Sequence, residues 1–128
     1  MSQTILVVDD SPTVVKFVAF SLKNSGYTVL TACDGMDAIE KISTVKDDIS
    51  LIITDLNMPN LDGYSLIQTL RQSDKHARTP IIILSSEDGA DDRDRGLAVG
   101  ADSYLVKPFK SSLLLSEVSK YLKQSVMN

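Results

Sequence analysis

Short apolar runs alternate along the chain with longer segments in which apolar residues recur every three or four positions. TILVV (4–8), TVLTA (28–32), SLIIT (50–54), PIIIL (80–84) and SYLVK (103–107) are rich in Val, Ile and Thr and predict strands. Helical periodicity marks the stretches near 12–25, 36–46, 63–74, 89–99 and 110–124. Three central runs are apolar on both faces, as parallel strands covered by helices should be. Five strands alternating with five helices imply βαβ units with right-handed crossovers. The expected fold class is α/β: a doubly wound, five-stranded parallel sheet between helical layers, with its crevice outside the carboxyl ends of the strands. No linker, repeat or low-complexity tract divides the 128 residues, so one domain over 1–128 is expected.

Composition sets limits on that picture. Hydrophobic content of 43% and charged content of 23% are ordinary for a soluble globular protein. A net charge of -4 and the lack of a basic stripe argue against nucleic acid as a direct partner. Cys33 is the single cysteine, so no intramolecular disulfide can form, which fits a reducing compartment. The start, MSQTILVVDD, lacks a basic segment, a long apolar stretch and a small-residue cleavage site. No apolar run reaches the roughly 18 residues that a membrane span needs. A soluble, cytoplasmic protein without membrane contact is expected.

The stretch LIITDLNMPNLDG (51–63) places a carboxylate, Asp55, at the end of an apolar run, with turn signals directly after it. An uncompensated charge there would cost free energy. The other strand ends supply compensation. The first run ends in Asp9 and Asp10, the fourth in Ser85 and Ser86, and the fifth in Lys107-Pro108. In a parallel sheet these ends share one edge, so three carboxylates, a hydroxyl and an ammonium converge. Carboxylates so crowded repel one another unless a cation intervenes. An all-oxygen cluster without His or Cys favours a hard divalent ion, Mg²⁺ before others. Lys107 then offers a point charge, and Ser85 a hydroxyl, to an anion placed beside that ion. The composite fits a phosphoryl group with Asp55 as its acceptor, since a carboxylate nucleophile can form an aspartyl-phosphate.

At these residues the chain resembles the receiver domain of two-component response regulators, most of all the single-domain chemotaxis (CheY-like) type. The resemblance covers essentially the whole chain. It rests on the Asp9-Asp10 doublet, Asp55 in TDLNMPNLDG, a hydroxyl in ILSSED and Lys107 in YLVKPF, with separations of 45, 30 and 22 residues from Asp10 through Asp55 and Ser85 to Lys107. Each motif alone is weak; all four in order are specific. The resemblance implies a flavodoxin-like, three-layer αβα fold. It also implies a switch, and not a turnover enzyme, that takes a phosphoryl group from a phosphohistidine of a histidine kinase or a histidine phosphotransfer domain. Asp10 and Asp55 would ligate Mg²⁺ directly, Asp9 largely through water, and Asn57 through its main-chain carbonyl. Lys107 would pair with Asp55 at rest and with the phosphoryl group afterwards, and the Lys107-Pro108 bond would be cis. Ser85, where the family often has Thr, would swing towards the phosphoryl group while Tyr104 turns inward behind it. That repacking would reshape the face of the fourth helix, fifth strand and fifth helix for a downstream protein target. A monomer in a chemotaxis pathway is the expectation.

Plainer readings stand beside these. Asp9-Asp10 could cap the first helix ahead of Ser11 and Pro12. Ser86 rivals Ser85, although spacing to Asp55 and Lys107 favours Ser85. Tyr104 is also an ordinary core aromatic, and Asn57 and Glu87 either border the site or are solvated turn residues. His76 reads as an exposed loop residue, Cys33 as a small packing residue, and DGADDRDRG (88–96) as a solvated helix start. In the first helix Val14, Phe17, Val18 and Leu22 form the core-facing stripe, while Val15, Ala19 and Phe20 fall off it. Receivers commonly dock the phosphodonor on this helix and on the loop after the fifth strand, so the resemblance makes Val15, Ala19 and Phe109 candidates for an apolar docking patch, unless they only cover a neighbouring helix. Rival functions are a phosphorelay intermediate, the receiver piece of a larger regulator, and a haloacid-dehalogenase-like phosphatase. The last would carry its nucleophile on the first strand in an Asp-x-Asp pattern. A flavin carrier is disfavoured by the missing phosphate loop after TILVV. No helix-turn-helix follows residue 125 or so, so output through protein contacts is expected.

Overall fold

The chain is described by a computed structural model over residues 3–44, 48–58, 60–86 and 89–122. Within these residues strands and helices alternate as β1 (Thr4–Val8), α1 (Pro12–Asn24), β2 (Thr28–Ala32), α2 (Gly35–Thr44) and β3 (Ile49–Thr54). They continue as α3 (Gly63–Arg71), β4 (Ile81–Ser85), α4 (Ala90–Ala98), β5 (Ser103–Val106) and α5 (Ser111–Leu122). The strands form one sheet in the order β2-β1-β3-β4-β5, and every pairing is parallel. The chain moves from β1 to one side for β2, then to the other for β3. The carboxyl ends of β1 and β3 therefore flank the point where the winding reverses, and a crevice opens there.

Strand periodicity divides the core in two. Ile5, Val7, Leu51, Ile53, Ile82, Leu84 and Leu105 face one way and are covered by Val18 and Leu22 of α1 and by Leu114, Val118 and Leu122 of α5. Leu6, Val8, Ile52, Ile81, Ile83 and Tyr104 face the other way, onto Ala38 of α2 and Leu66, Ile67 and Leu70 of α3. Gly96 lets α4 approach this second face, since a β-carbon there would lie 2.6 Å from Ile83 Cδ1. The three layers and the doubly wound order are those expected from the apolar pattern. Among the described residues no helix is long and apolar enough to cross a membrane.

The helix starts follow local chemistry. Ser11 caps α1, accepting the Val14 N–H at 3.4 Å, and Pro12 fills the first turn where no N–H is needed. Asp62 caps α3 by accepting the Ser65 N–H at 2.8 Å. The 88–96 run meets its expectation as far as it is described: α4 starts after Gly89 with Asp91 and Asp92 in its first turn.

Three expectations about single residues are corrected. Phe17 is 43% exposed and not part of the α1 core stripe, whereas Ala19 is buried. The α1 surface that meets the sheet reaches over Val18, Ala19 and Leu22, which turns Phe17 outward against Phe109 at a ring separation of 5.9 Å. His76 is only 3% exposed. Arg71 draws its loop inward by donating to the carbonyls of His76 (3.1 Å), Thr79 (2.7 Å) and Gly100 (2.7 Å), and the imidazole Nδ1 meets Thr79 Oγ1 at 3.1 Å. Burial, with Lys75 adding repulsion, holds the His76 pKa below the usual histidine value. Cys33 is exposed and not packed, because it lies just past the end of the edge strand β2. Glu87 lies outside the described residues.

Candidate functional site

The ladder of the sheet runs one residue past several strands and sets the backbone of each site residue. The Asp9 N–H donates to the Ala32 carbonyl at 3.1 Å and the Asp55 N–H to the Val8 carbonyl at 2.9 Å. The Lys107 N–H donates to the Ser85 carbonyl at 2.7 Å. Side-chain direction then follows strand alternation. Ile5 and Val7 lead to Asp9, Leu51 and Ile53 to Asp55, and Leu105 to Lys107, all with the parity of the α1/α5 face. Ser85 continues Ile81 and Ile83 and has the parity of Tyr104 on the opposite face. Ser86 has the other parity; it is exposed and lines a cavity with Lys107.

A close approach behind Asp55 fixes its backbone further. The Gly63 N–H donates to the Leu56 carbonyl at 2.9 Å, and a β-carbon at Gly63 would lie 2.2 Å from the Asp55 carbonyl oxygen. Any larger residue would push α3 off the turn that carries Asp55. The Thr54 hydroxyl donates to the Asp55 carbonyl at 2.8 Å.

The charges converge as the strand ends imply. Asp9, Asp10 and Asp55 each present a carboxylate oxygen, and these oxygens lie within 4.8 Å of one another. Asp9 is 2% exposed; one of its oxygens accepts the Ser11 N–H at 2.9 Å and the other accepts from Lys107 Nζ at 2.9 Å. Asp9 thus braces the start of α1 and belongs to the charge cluster at once. Lys107 Nζ also stands 3.6 Å from Asp55 Oδ2, while Asp55 Oδ1 accepts the Leu56 N–H at 2.8 Å. The ammonium is therefore shared, with its shorter contact to Asp9 and not to the expected Asp55. Asp10 is exposed at the rim.

Burial pushes the Asp55 carboxyl above its ordinary value of 3.8, and the charges of Asp9 and Asp10 add to this; Lys107 and the Leu56 N–H pull the other way. The donor set is all oxygen, partly buried and over-supplied with negative charge, which suits a hard divalent cation. Asn57 is exposed in the turn just beyond Asp55.

The remaining sequence-derived candidates divide. Ser85 is 0% exposed at the end of β4. Tyr104 is already buried, against Gly96, with the Arg93 guanidinium 5.3 Å from its ring centre. The Lys107-Pro108 bond is cis, as the resemblance implied. Val15 and Ala19 do not join Phe109. Val15 lines a hollow of about 260 Å³ beside Asp9, Asp10 and Cys33. Phe109 shares a separate cavity of about 530 Å³ with Val14, Phe17, Pro108 and Lys107. The apolar patch near the site is thus Val14, Phe17 and Phe109. Asp34 and Asn60, which the strand-end reading did not single out, join two loops by a hydrogen bond of 2.6 Å. Their sequence signals are the Asp34-Gly35 turn pair and an Asn inside a Pro- and Gly-punctuated turn.

A family model for the response regulator receiver domain matches residues 5–119. The chain is 41% identical to the transcriptional regulatory protein HprR of Escherichia coli (strain K12) over 94% of its own length and 52% of that protein. It spans about half the length of most of the curated relatives it matches. Among solved structures, the chemotaxis response regulator CheY4 of Vibrio cholerae superposes with a TM-score of 0.88 at 35% identity, covering 95% of this chain and all of that one. The receiver domain of the sensor histidine kinase PA1611 from Pseudomonas aeruginosa PAO1, described with a magnesium ion coordinated in its active-site cleft, gives 0.86 at 31% identity. That match covers 96% of this chain and 99% of the other.

A raised folded-state pKa means that folding favours protonated Asp55. The associated stability is complete below 3.8 and is lost as pH rises through the higher folded-state value. At neutral pH without divalent ions, Asp55→Asn is therefore expected to raise Tm. Lys107 keeps its closer partner, Asp9, so the substitution strands no charge. Thermal melts across pH should show the wild type losing stability relative to the variant as pH climbs above the ordinary carboxylate range. A variant less stable than wild type at neutral pH would contradict this charge balance.

Proposed function

From a chain that belongs to the response regulator receiver family, we infer a phosphorylatable switch in which Asp55 accepts a phosphoryl group from the phosphohistidine of a histidine kinase or phosphotransfer domain. The observation that carries this reading is the placement of Asp55 at the switch point, between two further carboxylates and the shared ammonium of Lys107. A carboxylate oxygen of Asp55 attacks phosphorus. The O–P bond forms as the P–N bond to the donor imidazole breaks, and the electron pair leaves with the imidazole. Asp9, Asp10, Asp55 and the Asn57 carbonyl would hold Mg²⁺. The ion, when bound, supplies charge neutralisation for the incoming phosphoryl oxygens.

The chain's own groups do the rest. Lys107 moves its charge from the carboxylates to the phosphoryl group, and Ser85 donates its hydroxyl to a phosphoryl oxygen. Ser85 and Tyr104 share strand parity, so a shift of the serine is passed to the ring and to the α4–β5–α5 surface. Output passes through protein contacts on that surface, and the chain catalyses only its own phosphorylation and dephosphorylation. A chemotaxis role draws support from CheY4, whose whole chain is matched; a receiver within a larger regulator draws support from HprR, of which about half is matched. The site is common to both readings and to a phosphorelay intermediate. A cytoplasmic setting fits a phosphodonor of this kind.

Val14, Phe17 and Phe109 are the proposed phosphodonor-docking residues, a reading supported by the cavity they line together with Lys107. Phe20, 67% exposed on the same helix, extends the apolar surface.

Incubation with acetyl phosphate should add one phosphoryl group to the wild type by intact mass, only when Mg²⁺ is present, and none to Asp55→Asn. No Mg²⁺-dependent addition, or equal addition to both proteins, would contradict the reading. Phe17→Ser should slow transfer from a phosphorylated kinase about tenfold or more and leave the acetyl phosphate rate unchanged. Equal kinase transfer rates in the two proteins would remove the docking assignment.

A further inference from the structure

The turn between β3 and α3 leaves the site at Asp55 and carries Asn57, the proposed main-chain ligand. Farther along, this turn is fastened to the loop between β2 and α2. Asn60 Nδ2 donates to Asp34 Oδ2 at 2.6 Å, and Asp34 Oδ1 accepts the Asp37 N–H at 2.8 Å. Asp34 is buried, and its main-chain carbonyl accepts the Ala38 N–H at 3.0 Å. A carboxylate held through both oxygens has little rotational freedom. The Asp37 N–H, and then the Asn60 amide, keep its pKa below the ordinary carboxylate value, so both bonds are charge-assisted.

Backbone geometry points to the same junction. Asn60 sits at φ 69°, in the left-handed region that most side chains avoid. Glycine would serve that turn by itself; asparagine adds the amide that reaches Asp34. Gly35, beside Asp34, packs so closely on the turn that a β-carbon would lie 2.5 Å from the Leu61 carbonyl oxygen. The two loops are therefore docked backbone to backbone, with one short side-chain bond as the fastener.

We propose that Asp34 and Asn60 are positioning residues for the cation end of the site, holding the turn so that the Asn57 carbonyl is presented alongside Asp10 and Asp55. The inference rests on the receiver reading given above. Neither side chain is a ligand in this scheme, and neither is assigned to the phosphoryl group. Their contribution therefore falls on cation affinity and not on phosphoryl transfer once the cation is bound. Partners outside the ligand shell commonly change metal affinity by about 10- to 100-fold.

The test is calorimetric titration of Mg²⁺ into unphosphorylated protein at constant ionic strength. It compares wild type with Asn60→Gly, Asp34→Ala and Asp34→Asn. Asn60 is exposed and glycine accepts its φ, so the first variant threatens no core packing. Asp34→Asn keeps an acceptor for Asp37, and a flipped Asn60 amide restores the loop-to-loop bond without the charge. Asn60→Gly and Asp34→Ala should weaken Mg²⁺ binding about tenfold, with Asp34→Asn close to wild type. The acetyl phosphate rate extrapolated to saturating Mg²⁺ should be the same in all four proteins. Wild-type affinity in Asn60→Gly and Asp34→Ala would overturn the inference and leave the receiver reading intact. So would equal losses in Asp34→Asn and Asp34→Ala, which would assign the effect to charge. A wild type that binds no Mg²⁺ would overturn the cation reading and the inference with it.

Discussion

One ammonium answers three carboxylates at the carboxyl edge of the sheet. Lys107 lies 2.9 Å from Asp9 and 3.6 Å from Asp55, in a cleft where Asp9 and Asp55 are both buried. That ratio leaves the site with excess negative charge, which adds to burial in raising the Asp55 pKa. Such a cluster is tolerated because the packed core fixes the strand ends that carry it. The apolar strands β1, β3 and β4, covered on both faces, hold the acids together against their repulsion. The unrelieved charge is also what makes the site receptive to a cation, and what Lys107 is free to shift from when an anion arrives.

Much of this was legible in the chain because a parallel sheet converts strand ends into neighbours. Once the five apolar runs are assigned, Asp9, Asp55 and Lys107 must lie along one edge. The alternation that buries Ile5 and Val7, Leu51 and Ile53, and Leu105 also decides which way they point. The same parity puts Ser85 on the face of Tyr104 and Ser86 on that of Lys107. Residue pattern therefore carried the architecture and the central site.

What escaped the pattern depends on contacts between segments with no shared periodicity. The Asp34–Asn60 bond joins two turns 26 residues apart, and neither turn announces the other. Arg71 lies near the end of a helix, where an exposed base is ordinary, yet it gathers four loop carbonyls and draws His76 inside. Phe17 has the spacing of a core residue. The orientation of α1 over the sheet instead buries Ala19 and turns the phenyl ring to Phe109. Helical spacing sets which residues share a face, but the orientation of the helix over the sheet decides which face is covered.

Chemical trapping reads directly whether Asp55 is the phosphoryl acceptor. Borohydride reduces an acyl phosphate to the alcohol, so protein treated with acetyl phosphate and Mg²⁺, then reduced and digested, should carry homoserine at position 55 by peptide mass spectrometry. Unreacted carboxylates should remain aspartate at positions 9 and 10. Reduction at Asp9 or Asp10 in place of Asp55, or no reduced residue in a protein that has gained phosphoryl mass, would contradict that role for Asp55.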